Sequence, residues 1–157
     1  MKRFLTLTLC LLLVLSLTAC GKTEAPKDVD VSQLADEMLA ALEPLGETME
    51  LTGELASSYY QMGDLVSEYK IYISTMYIAE EVAVFRLADA GKSGEGTKMV
   101  EGRIADIRAS FDNYLPEEFK TANENALILQ KGDIVCLLLG YQPGLDAAKK
   151  VFDQATA

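Results

Sequence analysis

Histidine is absent from this 157-residue chain. That absence removes the Ser-His-Asp and Cys-His nucleophile systems together with the common zinc sites. Tryptophan is absent as well, so the larger aromatic surface rests on seven tyrosines. Cysteine is scarce. Of the three, Cys10 lies inside an apolar leader and Cys20 closes it, which leaves Cys136 with no partner for a disulfide framework. Cys136 sits in IVCLLLG, where a small buried side chain is expected. Basic residues are also few, 14 Lys and Arg against 24 Asp and Glu, for a net charge of −10. An acidic body of this kind argues against a nucleic-acid partner and against lying flat on an anionic membrane.

The longest apolar run stands at the start. Lys2 and Arg3 precede residues 4–17, which are apolar apart from Thr6, Thr8 and Ser16. As a helix this run would span roughly 21 Å, short of a hydrocarbon core of ~30 Å, so it reads as a signal-peptide core. Ordinary cleavage after Ala19 would place bulky Leu17 where a small residue is required. Leu17-Thr18-Ala19-Cys20 instead resembles the bacterial lipobox. The resemblance implies a diacylglyceryl group on the Cys20 sulfur and a cut just before it. A thiolate is nucleophilic enough to accept that group. Two acyl chains at ~0.8 kcal/mol per CH₂ amount to on the order of 20 kcal/mol, sufficient for stable anchoring. The expected organisation is therefore a removed signal over residues 1–19, a lipidated cysteine and short tether over 20–30, and one domain over 31–157. Cleavage takes Lys2 and Arg3 but none of the 24 acidic residues, so the charge moves from −10 to −12.

Beyond the tether, Asp30 is placed to cap a helix, with Gln33 at the capping-box position and Val29 and Leu34 as a hydrophobic staple. Val31, Leu34, Ala35, Met38, Leu39 and Leu42 form its apolar stripe, and Pro44 and Gly46 end it. A second helix is expected from about Leu51 to Gln61, with Leu55, Tyr59 and Met62 on one side and Gly63 beyond its end. EYKIYIST alternates as a half-buried strand, with Tyr69, Ile71 and Ile73 on one face and Tyr72 on the other. Residues 80–88 form a more apolar and so more central strand. A Gly-rich loop leads to a helix over about 96–114, its core stripe running from Val100 through Ile104, Ile107 and Phe111 to Tyr114. Pro116 suits the first position of a short helix with Glu117 and Glu118 at its positive end. Gly132-Asp133 suits a type II′ turn between two apolar strands, and a last helix carries Leu145, Ala148, Val151 and Phe152. The pattern predicts an α+β fold: one antiparallel sheet of about four strands, built from two hairpins, with helices mainly on one face. No internal repeat is present.

Several chemical motifs fail on inspection. Residues 91–98, GKSGEGTK, approach a P-loop, but the final pair is inverted to Thr97-Lys98. One residue turns a helical side chain by about 100°, so Lys98 would miss a phosphate, and no nucleotide is expected. Ser67 and Lys70 spell S-x-x-K on a strand, where residues three apart face opposite sides. Residues 28–39 lack the Gly and Glu that a calcium loop needs. The pairs Glu80-Glu81 and Glu117-Glu118 hold adjacent carboxylates, which diverge on strands and helices alike. No metal or other cofactor is implied. The surviving binding clue is aromatic: Tyr59, Tyr60, Tyr72 and Tyr77 gather around the first strand, a candidate exposed platform for a glycan or a partner protein.

The lipobox, the amphipathic first helix, AEEVAVFRLAD, FDNYLPEEF with its Tyr114-Leu115-Pro116-Glu117 segment, and the closing KGDIVCLLLG together resemble domain-of-unknown-function family 4358. These are small bacterial lipoproteins, mainly of Gram-positive, clostridial type. The resemblance implies an autonomous extracytoplasmic domain on the outer face of the cell membrane and carries no catalytic residue. Anchoring, a complete core and the missing catalytic constellation point to a non-catalytic binding or accessory module serving an envelope protein or ligand. The competing expectations are an envelope enzyme using carboxylates or a hydroxyl nucleophile on cell-wall material, and a single-domain ligand-capture protein.

Overall fold

The structure, a computed structural model, describes residues 28–157. Asp30 begins the first helix as expected: its side chain accepts the Gln33 N–H at 2.8 Å, and α1 runs Val31–Leu42. The Gln33 side chain does not return the bond and instead donates to Glu37 at 2.7 Å. Glu43, at φ 52°, turns the chain out of the helix before Pro44. The chain continues through β1 Thr48–Glu50, α2 Gly53–Tyr59, a 3₁₀ turn at Gly63–Leu65, β2 Val66–Ser74 and β3 Glu81–Leu87. A second 3₁₀ turn at Ala90–Lys92 leads into α3 Ser93–Phe111, followed by α4 Pro116–Glu124, β4 Leu127–Lys131, β5 Ile134–Leu139 and α5 Gly144–Ala155.

The fold is α+β, a single domain on one antiparallel sheet. It has five strands rather than about four, in the order β1-β2-β3-β5-β4. The two expected hairpins are β2–β3 and β4–β5, joined through β3 and β5. Lys131 pairs with Ile134 across Gly132-Asp133, and only Gly132 takes a positive φ, +58°, as a type II′ turn requires. The added strand is β1, whose three residues pair with Tyr72, Ile73 and Ser74 at the outer edge of β2.

Helices cover both faces. Alternation along β3 sends Val82 and Val84 to α1 and α5, and Ala83, Phe85 and Leu87 to α2, α3 and α4. β5 does the same with Ile134, Cys136 and Leu138 against Val135, Leu137 and Leu139. Two cores result, and the expected layering with helices mainly on one face gives way to a sheet buried on both sides. Cys136 is buried in the α1/α5 core, where desolvation pushes its thiol well above the ordinary range.

Three helix boundaries differ from expectation. α2 is shorter and rotated, so Ala56 is buried while Leu55 is exposed, and Tyr60 enters the core from extended backbone just past the helix end. The expected Gly-rich loop is largely helical. α3 begins at Ser93, and Gly96 lets it approach the sheet, since a Cβ there would lie 2.9 Å from Leu87 Cδ2 and 3.1 Å from Val135 Cγ2. α3 stops at Phe111 because Asn113, at φ 61°, redirects the chain, and Tyr114 leaves the core stripe for solvent.

Candidate functional site

A cleft of about 360 Å³ opens at the end of the sheet where β2 finishes and β3 begins. Its walls are the inner stripe of α3, the end of α2 and the loop of residues 75–80. The spacing of Arg103, Asp106, Ile107, Ser110 and Phe111 is i, i+3, i+4, i+7, i+8, which puts all five on one helical face toward the opening. Ile73, Glu81 and Leu139 supply the sheet side.

The polar centre is an ion pair. The Glu81 side chain is 2 % exposed and that of Arg103 13 %. Arg103 donates from Nε at 3.1 and 3.2 Å and from Nη2 at 2.7 Å to the Glu81 carboxylate. The Tyr60 hydroxyl donates to Glu81 Oε1 at 2.5 Å, and its ring packs on Phe85 at 4.7 Å between centroids. The Tyr59 ring lies over the guanidinium, 4.4 Å from its centroid to Cζ. Burial works against the charge on Arg103, but the neighbouring Glu81 carboxylate outweighs it and holds the guanidinium above its ordinary value.

The carboxylates expected to diverge do so. Glu80 turns away from Glu81 and accepts the Leu45 N–H with both oxygens, at 3.0 and 3.1 Å. Glu118 on α4 accepts the Ala79 N–H at 2.6 Å and the Tyr141 hydroxyl at 2.7 and 2.9 Å. These contacts hold the loop of residues 75–80 that walls the cleft. Ser67 and Lys70 also part: Ser67 donates to the Arg86 carbonyl and Lys70 pairs with Glu50 at 2.6 Å. Among the described residues no group of three or more Asp, Glu, Cys or His is placed to hold a metal. Every buried side-chain polar atom among them has a hydrogen-bond partner.

The tyrosines expected to share one surface are dispersed. Tyr59 is half-buried on Arg103 at the cleft wall. Tyr60 is buried and cannot belong to an exposed platform, because its hydroxyl is spent on Glu81 inside the core. Tyr72 lies on the opposite face of the sheet, half-buried against the α1 layer, and donates to Asp36 at 2.6 Å. Tyr77 alone stands in solvent, 6.5 Å from Tyr114 and inclined by 64°. A tilted pair offers no common flat face. Arg103, Asp106 and Met76 were not singled out by sequence reasoning, and Tyr114 was assigned to the core stripe of the long helix rather than to the surface it occupies. The available signals were a charge beside the apolar stripe of α3 and a glutamate opening an otherwise apolar strand. Leu17, Thr18, Ala19 and Cys20 lie outside the described residues.

Two phenols here set an alkaline limit. Burial first, then the Glu81 charge, raises Tyr60 well above the ordinary value of 10.0. Burial and Glu118 push Tyr141 up to about 12. A raised folded-state value means that the stabilisation is complete below the unfolded value and is lost as pH rises through the folded one. Denaturation midpoints are therefore expected to hold up to about pH 10 and then fall, and Tyr60→Phe should flatten the fall. A variant with the same alkaline slope as wild type would contradict this assignment.

Among the described residues no helix is long and apolar enough to cross a membrane. A family model, Domain of unknown function (DUF4358), matches residues 43–140. The matched span contains the whole cleft lining and leaves out α1 and α5. No curated protein and no solved structure matches the chain.

Proposed function

The chain belongs to the DUF4358 family, and from that premise we propose that it is a lipid-anchored extracytoplasmic module that binds a ligand or partner without catalysing a reaction. In this reading the diacylglyceryl group on Cys20 holds it to the outer face of the cell membrane, and the cleft beside Arg103 is the binding surface.

The observation that carries the reading is the opposition of two ends. The chain enters the fold at Asp28 and Val29, where Arg86 donates to the Val29 carbonyl and lies 3.9 Å from the Asp28 carboxylate. Glu68 and Asp133 hold the same guanidinium at 3.2 and 3.1 Å. The cleft lies at the other end of the same strand, at Glu81. Glu81 and Arg86 stand five positions apart along β3, roughly 17 Å of strand. A domain anchored through its N-terminal tether thus carries its cleft away from the point of attachment.

The test compares wild type with Cys20→Ala in a bacterial host that lipidates proteins. Wild type is expected in the membrane fraction, with an intact mass showing a diacylglyceryl group and an N-terminus at Cys20. The variant is expected to lose both. Soluble wild type cut at another position would sink the anchor.

A further inference from the structure

Four of the large apolar side chains stand far out in solvent: Leu45 at 71 %, Met76 at 60 %, Tyr77 at 78 % and Tyr114 at 70 %. All four gather at the cleft end. The Leu45 N–H is held by Glu80, and a Cβ on the adjacent Gly46 would lie 3.2 Å from Ile78 and 3.3 Å from Met76 Sδ. Tyr77 meets Tyr114, and the Tyr114 N–H donates to Phe111 in the cleft wall at 3.2 Å. Exposed apolar surface concentrated in this way marks an interaction site, and Met and Tyr are residues that interfaces favour.

Charge narrows the choice of occupant. Three carboxylates line the cleft, Glu80, Glu81 and Asp106, against the single guanidinium of Arg103. Glu80 and Glu81 are engaged within the fold, whereas the Asp106 carboxylate is exposed and has no partner among the described residues. Arg103 bonds Glu81 through Nε and Nη2, which leaves Nη1 as a donor. A cation is therefore welcome beside Asp106, and a carbonyl beside Arg103. A glycan would want flat aromatic faces, and the 64° inclination of Tyr77 on Tyr114 denies it one.

We propose that this end of the domain docks a protein segment in which an apolar side chain is followed by a lysine or arginine. The apolar side chain enters between Met76, Ile78 and Phe111, the cation reaches Asp106, and a backbone carbonyl accepts from Arg103. The proposal rests on the binding-module reading and gives its partner a chemistry.

The test uses the full chain, ¹⁵N-labelled in detergent micelles, titrated with acetyl-Ala-Leu-Lys-Ala-amide, with its Glu counterpart, and with chitotriose. Amide shifts at residues 76–79, 103, 106 and 110 are expected with the Lys peptide, about five- to tenfold tighter than with the Glu peptide. Asp106→Asn, a surface change, should erase that difference, while Met76→Ser should weaken both peptides. Equal affinity for the two peptides overturns the charge rule. A response to chitotriose in place of the peptides overturns the protein partner and leaves the binding module standing. Shifts at these amides that grow with protein concentration in the absence of probe would assign the surface to a second copy. Silence towards every probe would sink both readings, and the Cys20→Ala fractionation stands apart from all of these outcomes.

Discussion

Gly144→Ala is expected to be among the most damaging single-methyl changes in the domain. A Cβ at Gly144 would lie 2.0 Å from the Leu42 carbonyl oxygen and 2.9 Å from its carbon. Both collision partners are backbone, so no rotamer relieves the overlap, and α5 must move away from the end of α1. That movement opens the core in which Leu34, Met38 and Leu42 meet Leu145, Ala148 and Phe152. The cost should be roughly 3–5 kcal/mol, a large part of the ~5–15 kcal/mol that holds a domain together. In thermal unfolding this is a fall of more than about 10 °C. Gly102→Ala is the matched control. It sits in the middle of α3 with nothing within 4 Å of a Cβ, so helix propensity should raise stability by about 1 kcal/mol. A Gly144→Ala protein melting within about two degrees of wild type would show that the α1–α5 approach is looser than these distances require.

That close approach was beyond sequence reading, and the reason is physical. Features set by neighbours along the chain were legible: the Asp30 cap, the Gly132-Asp133 turn, Pro116 at the first position of α4, and the central place of β3. Each depends on a few consecutive residues. β1 was not legible, because three residues, Thr48–Glu50, show no period and become a strand only by pairing with β2. Tyr60 read as surface because its seat depends on α2 ending one residue earlier, which alternation in a short mixed segment does not specify. The two-sided burial of the sheet did leave a trace. IVCLLL is apolar at every position, which a strand with one wet face has no reason to be. The cleft lay furthest from view. Glu81 and Arg103 are 22 residues apart in sequence and meet only after α3 has packed across the sheet.

The cleft wall and the core are joined through one pair of side chains, and Arg103→Met should expose that coupling. It leaves Glu81, 2 % exposed, with the Tyr60 hydroxyl as its only remaining side-chain donor among the described residues. Removing one partner of a buried pair strands the other charge, so the loss should be roughly 3–5 kcal/mol. Arg103→Lys should fall between the two, because an ammonium can supply neither the Nε and Nη2 contacts nor the flat face that Tyr59 covers. The double variant Glu81→Gln, Arg103→Met separates the charge from the packing. With the stranded carboxylate gone, it should regain about 2 kcal/mol over Arg103→Met alone, measured by denaturant unfolding of all three proteins. A double variant no more stable than the single one would mean that the guanidinium contributes through packing under Tyr59 and not through Glu81. The pair would then be a feature of the cleft wall rather than the tie that fixes α3 against the opening of β3.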